Sequence, residues 1–377
     1  MDRRIGVLHV IPTLTGGGAE NFVAALLPLL DDGVVQPAVM TIYPTALPAD
    51  SRALTAVPLM RIDRKGRYDP GFFPRMVSAM RALRPDVVHT HMHNGKYWGR
   101  LAAIAAGVPV VVHTAHNPCD DHRLVAEVLA DRALNARTSA IVTFLEHQRR
   151  FLAHFERIPE EKIVVIANGV PLGDVATPAQ RAVARSRLRL NDDTFAIFVI
   201  GRLQEIKNQQ LALRAMYELP FSLRRKLALY IIGNGPDRAR LARTIEELGL
   251  DECVSMLGHR SDVKEILPAA DLVFAPSRSE GMPLALIEAM AAGIPVLSAP
   301  WLGATEFLDG GRLGTIAADY DPLHVASLLA QLANAREFLG MRARAAAQEV
   351  RERYDIQLTA ARHRDLYRRL VDRASAA

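Results

Sequence analysis

The sequence predicts an α/β protein with two doubly wound parallel-sheet domains. Short apolar runs, typical of buried strands, alternate with longer helical stretches, and this alternation occurs in two successive series. A polar stretch that contains glycine and proline separates the two series. The chain has 377 residues, of which 50% are hydrophobic, which is enough for about two domains with buried cores.

Both series have the same organisation, in which each strand is followed by a helix that can cross back over a parallel sheet. The strands of the first series are Ile5–Val10, Val87–Thr90, Val110–His113, Ala140–Thr143 and Ile163–Ala167, and its helices include Asn21–Leu30, Phe73–Leu83 and Trp98–Ala106. The strands of the second series are Ala196–Ile200, Leu227–Ile232, Val254–Leu257, Leu272–Ala275 and Val296–Ser298, and its helices include Gln209–Glu218, Asp237–Leu248 and Leu284–Ala292.

A short pattern occurs once in each series and indicates two similar halves. Asp86 is followed 21 residues later by Gly107, and Asp271 is followed 22 residues later by Gly293. In both places the glycine is expected to end a helix, and a proline follows two residues later, before the next strand. Chance use of common helix-ending residues is the alternative explanation.

The domain boundary is predicted after the first series. We place the first domain at residues 1–171, a linker at 172–193 and the second domain at 194–354, because residues 172–193 are polar and contain glycine and proline. The chain after Met341 is rich in arginine and has apolar residues at helical spacing, so it is predicted to be helical, with charges that can form a solvated face.

Composition excludes several classes of protein. Two cysteines, Cys119 and Cys253, without a CxxC motif, cannot form a disulfide framework or a structural zinc site, which points to a reducing, cytoplasmic compartment. The N-terminal apolar stretch is short and lacks a signal-peptide cleavage site, and no run of about 18 apolar residues predicts a membrane span. Lysine plus arginine outnumber the acids 46 to 41; this modest excess disfavours nucleic-acid binding but allows an anionic ligand or membrane surface.

Glycine-rich loops follow three predicted strands, where backbone can approach a ligand closely. Gly16–Gly18 lie between the first strand and a helix, whose N-terminus favours anions such as a diphosphate. Gly201 is followed by Arg202 and Lys207, two cations that could neutralise a diphosphate at the sheet edge. Gly233 follows the next strand in the same way. Ordinary turns and surface charge are the alternatives.

The segment with the most candidate site residues contains two glutamates eight positions apart. Glu280 lies in a loop, and Pro283 suits the first turn of the helix that follows. Glu288 lies inside that helix among apolar residues, where burial of a carboxylate is costly unless a partner such as a ligand hydroxyl donates to it. An exposed pair of glutamates is the alternative.

Histidines are concentrated in the first series. His89, His91 and His93 alternate at strand spacing, which predicts that all three lie on one side of an extended segment. A metal site is not favoured, because no carboxylate or cysteine accompanies them locally. His116 follows a predicted strand and could bond a sugar hydroxyl, or it could merely cap the strand end.

Together these residues resemble retaining glycosyltransferases of the family-four type, which have two Rossmann-like domains facing across a cleft, the GT-B fold. The most specific match is the pair Glu280 and Glu288, which is similar to the E-x7-E motif of the family. The resemblance covers nearly the whole chain. It extends to Tyr367–Leu370, which is similar to the family's final helix, and it implies that residues 355–377 return to complete the first domain.

The resemblance also implies a role for each residue of the second domain. Arg202 and Lys207 would clamp the diphosphate of the donor and help the nucleotide leave. Glu288 would bind the ribose hydroxyls. Glu280 would hold sugar hydroxyls and phosphate together with the backbone of the segment that follows it, Gly281, Met282, Pro283 and Leu284.

In the first domain, the resemblance implies that Gly17 and Gly18 close on the diphosphate and that His116 is the active-site histidine near the donor sugar. His113 is the alternative; we favour His116 because Asn117 and Pro118 follow it. The sequence departs from the family pattern at Gln204–Ile206, which stands where Val-Pro-Glu is common, although the spacing from arginine to lysine is kept. No metal or other cofactor is expected.

The implied reaction moves a sugar from a UDP- or GDP-sugar to an acceptor hydroxyl with α configuration, in polysaccharide, lipid-linked glycan or glycoconjugate biosynthesis. The leaving phosphate would remove the proton from the acceptor hydroxyl, and Glu280 would not act as a nucleophile. The alternatives are a nucleotide-sugar 2-epimerase and a catalytically inactive partner with the same fold. The presence of Arg202, Lys207 and Glu288 argues against both.

The acceptor, which is a glycan, a lipid-linked sugar or a small molecule, is expected to bind the first domain. That domain carries a basic loop, residues 64–68, and a basic, aromatic helical stretch, residues 149–155. The second stretch predicts peripheral contact with anionic lipid at the inner face of the plasma membrane, with an ordinary packed amphipathic helix as the alternative.

Overall fold

The computed structural model describes residues 4–45, 54, 56–66, 68–116 and 125–376. The chain forms two compact units. The N-terminal unit comprises Met1–Pro171 and Tyr354–Ala377, and the C-terminal unit comprises Leu172–Arg353. The segment that the sequence analysis places in a linker thus lies in the C-terminal unit.

The N-terminal unit is built on a seven-stranded parallel sheet. Its strands are β1 (Ile5–Ile11), β2 (Val35–Thr41), β3 (Leu59–Arg61), β4 (Val87–His91), β5 (Val110–Thr114), β6 (Ala140–Thr143) and β7 (Ile163–Val165), in the order β3-β2-β1-β4-β5-β6-β7. Its helices are α1 (Gly18–Leu30), α2 (Phe72–Leu83), α3 (Met92–Asn94), α4 (Arg100–Ala106), α5 (Val125–Ala136), α6 (Glu146–His154) and, from the end of the chain, α16 (Ile356–Ala376).

The C-terminal unit is built on a six-stranded parallel sheet. Its strands are β8 (Phe195–Ile200), β9 (Leu227–Ile232), β10 (Val254–Gly258), β11 (Leu272–Ala275), β12 (Val296–Ser298) and β13 (Thr315–Ile316), in the order β10-β9-β8-β11-β12-β13. Its helices are α7 (Pro178–Arg187), α8 (Gln209–Glu218), α9 (Phe221–Arg224), α10 (Arg238–Glu247), α11 (Val263–Ile266), α12 (Leu284–Ala291), α13 (Ala304–Phe307), α14 (Pro322–Asn334) and α15 (Arg336–Tyr354).

The predicted strands are all present, and the structure adds three more. β2 was missed because Pro37 lies inside it and proline is unusual in a strand interior. β3 and β13 have only three and two residues, too few for a readable pattern. The predicted linker contains α7, which begins with a Thr177–Gln180 capping box.

The repeated aspartate pattern has a structural counterpart in both units. The Oδ2 atom of Asp86 accepts a hydrogen bond from the backbone N–H of Gly6 at 2.8 Å, and Oδ2 of Asp271 accepts one from Ala196 at the same distance. Each aspartate thus connects the start of the fourth strand of its sheet, in chain order, to the start of the first strand. Gly107 and Gly293 both have positive φ, 77° and 74°, at the end of a helix, as helix-ending glycines require.

Candidate active site

The order in which strands are added to the C-terminal sheet reverses at β8 and β11, since β9 and β10 lie on one side and β12 and β13 on the other. The loops that follow β8 and β11 meet there. The backbone N–H of Arg278, after β11, donates to the carbonyl of Ile206, after β8, at 2.9 Å. In open parallel sheets such a switch point, at the carboxyl ends of the strands, is where ligands bind. The fold therefore brings together two of the loops that the sequence analysis selected.

Lys207 and Glu280 form an ion pair across this switch point. The Nζ atom of Lys207 lies 2.8 Å from Oε1 and 2.7 Å from Oε2 of Glu280, although 73 residues separate them. The hydroxyl of Ser277 also donates to Oε1, at 2.6 Å. Glu280 is buried and Lys207 is partly exposed, so the carboxylate fixes an ammonium group that remains accessible from solvent.

Arg202 lies on the same loop as Lys207, and Gly233 lies on the loop that follows β9. A Cβ atom on Gly233 would lie 1.9 Å from the carbonyl oxygen of Gly201, so this close approach of backbone needs glycine. The side chain of Arg202 is exposed, while its carbonyl accepts a hydrogen bond from Nε2 of the buried Gln209 at 3.0 Å. The Arg202 guanidinium has no acidic partner among the residues that the structure describes.

Glu288 lies on α12, which begins just after Glu280. Leu284 is its first residue and Pro283 precedes it as the N-cap, while Met282 is buried. Burial raises the pKa of the Glu288 carboxyl, and the positive charge of Lys264 opposes this effect. No described residue donates a hydrogen bond to this carboxylate, so a bound ligand hydroxyl would meet an unsatisfied acceptor.

A cavity of about 410 Å³ lies beside these residues, since its lining includes Asn208, next to Lys207, and Arg278, on the loop of Glu280. Polar and charged residues predominate in its lining: Glu205, Asn208, Gln210, Leu211, Arg214, Arg240, Thr244, Arg278, Tyr320 and Pro322. None of the predicted donor-site residues lines it. The structure therefore places those residues at the edge of the sheet and not in this cavity.

In the N-terminal unit, Gly17 and Gly18 form the start of α1, with Gly17 as the N-cap. Gly16 has φ 106°, which favours glycine, whereas a Cβ on Gly18 would meet nothing within 4 Å. The Glu20 carboxylate bonds the Thr13 hydroxyl at 3.1 Å and lies over Gly17. A carboxylate of the protein itself thus lies where the sequence analysis expects an anionic ligand.

The two candidate histidines occupy different positions. His113 lies within β5, and its Nδ1 atom is 3.1 Å from the carbonyl oxygen of Thr90. His116 follows the end of β5, and its Nε2 atom is 3.3 Å from Nδ1 of His91. Burial lowers the pKa of His116 to about 4, so the imidazole is neutral at pH 7. Asn117 and Pro118 lie outside the described residues.

The prediction that three alternating histidines share one extended segment is wrong. β4 ends at His91, Met92 has a positive φ of 59°, and His93 lies on α3 with its ring against Tyr97. The backbone turn at Met92 removes His93 from the strand. The ring that joins His89 and His91 instead is His9 of β1, since parallel pairing places His9 opposite His89.

Several residues that contact the predicted site were missed. Ser277 stood in a segment that we singled out, but its bond to Glu280 cannot be read from spacing. The position of His9 in a predicted strand was the available signal, but its place opposite His89 depends on the pairing of β1 with β4. Tyr367 was noted only as part of the final helix; the contact of its hydroxyl with Nδ1 of His89, at 2.7 Å, could not be predicted because 278 residues separate the two.

In each of the two basic stretches of the N-terminal unit, one arginine contacts other side chains of the same unit. The Arg64 guanidinium lies over the rings of Phe72 and Trp98, 4.9 and 5.5 Å from their centroids. Arg149 on α6 forms ion pairs with Glu146 and Glu160. Among the helices described, none combines the length and the apolar character that a membrane span requires.

Two family models match the chain, in the order of its two units. The model for Glycosyltransferase Family 4 matches residues 16–174, and the model for glycosyl transferases group 1 matches residues 180–349. Together the two models cover most of the chain, which therefore belongs to the family-four type of glycosyltransferases.

Individual relatives are similar over part of their length. The D-inositol 3-phosphate glycosyltransferase of Stackebrandtia nassauensis is 31% identical over 272 residues, which are 66% of this chain and 60% of the relative. The UDP-Gal:alpha-D-GlcNAc-diphosphoundecaprenol alpha-1,3-galactosyltransferase of Escherichia coli is 33% identical over 221 residues, 56% of this chain and 57% of the relative. The chain thus spans less than two thirds of the length of these relatives.

Solved structures show the same fold. HepE of Anabaena, in complex with UDP-glucose, superposes with a TM-score of 0.83 at 19% sequence identity, over 99% of this chain and 100% of that chain. The predicted fold class, two Rossmann-like parallel-sheet domains of the GT-B type, is confirmed.

Proposed function

We propose that this protein is a retaining glycosyltransferase, which moves a sugar from a nucleoside diphosphate sugar to an acceptor hydroxyl with α configuration. The observation that carries the proposal is the Lys207–Glu280 ion pair at the switch point of the C-terminal sheet. It holds a solvent-accessible cation at the edge where parallel sheets bind ligands. The names of the relatives, and UDP-glucose in the HepE complex, support a UDP-sugar as the first donor to test.

In this proposal the cations bind the phosphates and the carboxylates bind hydroxyl groups or orient a cation. Arg202 and Lys207 neutralise the two phosphates, and this neutralisation becomes more important as the nucleotide leaves, so it lowers the barrier. The Glu288 carboxylate accepts from the ribose hydroxyls, which offset the cost of its burial. Glu280 orients Lys207 and, with the backbone of residues 281–284, receives the sugar. The family resemblance assigns Gly17 and Gly18 to the diphosphate and His116 to the sugar, and Gly233 allows its loop to approach Gly201 closely.

The acceptor belongs to one of the classes that the relatives' names suggest. One is a phosphorylated polyol, as in inositol 3-phosphate, and the other is a lipid-linked sugar diphosphate. Both are anionic, which suits a chain with a net charge of +5. A lipid-linked acceptor would bring the N-terminal unit to an anionic membrane surface.

A nucleotide panel tests the donor site. We expect one of UDP, GDP, ADP and dTDP to raise the melting temperature clearly more than the others, because a ligand present at 100 times its Kd stabilises the native state by about 2.7 kcal/mol. The shift should persist in EDTA and be lost in Glu288→Gln, while the exposed control Glu247→Gln keeps it. No shift with any nucleotide in the folded wild type would contradict the proposal and favour an inactive partner.

Without ligand, Glu288→Gln is expected to raise the melting temperature of the protein. Burial raises the Glu288 pKa in the folded state, so the ionised carboxylate destabilises the fold at pH values above its unfolded pKa of 4.5. Glu288→Gln should therefore melt higher than wild type at pH 7, and this advantage should disappear as the pH falls below 4.5. A lower melting temperature for the variant at pH 7 would show that the carboxylate has a structural partner.

A further inference from the structure

A chain of buried side chains connects His116 to the interior of the N-terminal unit. We call it the histidine chain; its members are Thr114, His89, Tyr367, His9, His91 and His116. It begins in β5, passes through β4, α16, β1 and β4 again, and ends at His116 just after β5. All members except His116 have at most 1% of their surface exposed.

Hydrogen bonds connect the members in that order. Oγ1 of Thr114 lies 2.7 Å from Nε2 of His89, and Nδ1 of His89 lies 2.7 Å from the Tyr367 hydroxyl. That hydroxyl lies 3.4 Å from Nε2 of His9, and Nδ1 of His9 lies 3.0 Å from Nε2 of His91. Nδ1 of His91 then reaches Nε2 of His116 at 3.3 Å.

Every ring of the chain is neutral. Burial lowers the pKa of His9 to about 3 and that of His116 to about 4, and it lowers the pKa values of His89 and His91 well below 6.5. Burial also raises the pKa of Tyr367 well above 10, so its hydroxyl keeps its proton. A neutral imidazole has one N–H donor and one bare nitrogen acceptor. The buried Tyr367 hydroxyl has one proton, which it must donate to one of its two partners, His89 or His9. All hydrogen bonds of the chain therefore point the same way along it.

The Thr114 end decides between the two directions. If the chain runs from His116 towards Thr114, the last donor is Nε2–H of His89, and the buried Thr114 hydroxyl then needs an acceptor of its own. Among the described residues this hydroxyl contacts His89 alone. If the chain instead runs from Thr114 towards His116, every hydrogen of the five fully buried members has an acceptor, and the donor left over is Nδ1–H of the partly exposed His116. This direction avoids the cost of an unsatisfied donor in the interior.

We propose that the histidine chain holds His116 as the neutral tautomer protonated at Nδ1, so that His116 offers a hydrogen-bond donor and not a base. In this direction Thr114 donates to His89, His89 to Tyr367, Tyr367 to His9, His9 to His91, and His91 to Nε2 of His116. The remaining proton of His116 is on Nδ1, for which no described residue provides an acceptor. That this proton goes to an oxygen of the donor sugar rests on the proposed function; the tautomer itself does not.

Two histidines nearby stand outside the chain. Nδ1 of His363 donates to the carbonyl of Thr359 at 2.9 Å, and Nδ1 of His113 to that of Thr90. Nitrogen atoms of His9, His89 and His91 lie within 4.8 Å of one another, a size that could hold a metal ion. Their ring nitrogens, however, already have partners within the chain, so binding of a metal would break its hydrogen bonds.

Nitrogen NMR of the full-length, uniformly ¹⁵N-labelled protein without substrate tests the proposal. Long-range ¹H–¹⁵N correlations from the ring protons distinguish protonated from bare nitrogens, and the His116→Gln variant assigns the signals. We expect a single His116 tautomer, with Nδ1 protonated, unchanged by EDTA. A His116 protonated at Nε2, or metal-shifted nitrogens in His9 that EDTA reverses, would overturn the proposal.

Variants of the histidine chain, each with a matched control, complete the test. Thr114→Val removes the hydroxyl that sets the direction while keeping its shape, so both His116 tautomers should appear, and Thr114→Ser should restore the single one. Tyr367→Phe should act as Thr114→Val does, whereas Tyr354→Phe, which removes a buried hydroxyl outside the chain, should change nothing. An unchanged His116 tautomer in both folded Thr114→Val and Tyr367→Phe would overturn the proposal even if the protein proves to be a glycosyltransferase.

Discussion

Lys207→Ala should reduce the rate of sugar transfer by about 100- to 1,000-fold, the range for loss of one preorganised charge at a reacting centre. The Lys207 ammonium is held by both oxygens of Glu280 and remains partly exposed. Its removal leaves the departing nucleotide diphosphate with less positive charge, and it leaves Glu280 with the Ser277 hydroxyl but without its cation. The first effect acts on the bound donor, whereas the second also lowers the stability of the unit, because Glu280 is buried.

The matched control is Lys226→Ala. Lys226 is an exposed lysine of the same unit at the start of β9, and therefore at the opposite edge of the sheet from the carboxyl ends. The control should retain the wild-type rate. A folded Lys207→Ala protein whose rate lies within about twofold of wild type would remove Lys207 from the donor site.

Asp271→Ala should destabilise the C-terminal unit by about 3–5 kcal/mol, the cost of removing one partner of a buried ion pair. Asp271 receives hydrogen bonds from three arginines, of which Arg185 is almost fully buried, and from the backbone N–H of Ala196. Burial lowers the pKa of Arg185, and without Asp271 its charge would have no carboxylate to compensate it.

Tryptophan fluorescence can follow this change in one unit alone. The chain has two tryptophans, Trp98 in the N-terminal unit and Trp301 in the C-terminal unit. In a Trp98→Phe background, urea unfolding monitored by Trp301 reports on the C-terminal unit. The control Glu265→Ala removes the exposed Arg187–Glu265 pair and should cost at most about 1 kcal/mol. Equal effects of the two variants would contradict the role assigned to Asp271.

The fold was predictable because parallel sheets leave a strong local signal. Strands such as β8 and β9 are short apolar runs that the sheet buries, and their limits agree with the sequence pattern to within a residue. The short strands β3 and β13 carry too little pattern to be found. Helix α7 lies in a stretch that looked like a linker, because its stabilising contacts are arginine bonds to Asp271, about 90 residues away.

The sequence could select candidate site residues but could not predict the contacts between them. Loop residues after strands could be selected because parallel strands end at one edge of a sheet. The pairing of Lys207 with Glu280 depends on strand order, since β8 and β11 are neighbours only after β9 and β10 have been placed on the other side. The histidine chain depends, in addition, on the return of α16 to the first sheet, which no local pattern specifies.

The most direct test of the proposed function is the stereochemistry of transfer. The protein is incubated with UDP-glucose, UDP-galactose, UDP-GlcNAc or GDP-mannose and with inositol 3-phosphate or a lipid-linked GlcNAc diphosphate, and the product is examined by proton NMR. We predict acceptor-dependent release of nucleoside diphosphate and an α-linked product. A β-linked product, a 2-epimer of the sugar formed without acceptor, or no turnover with any pair would contradict the account.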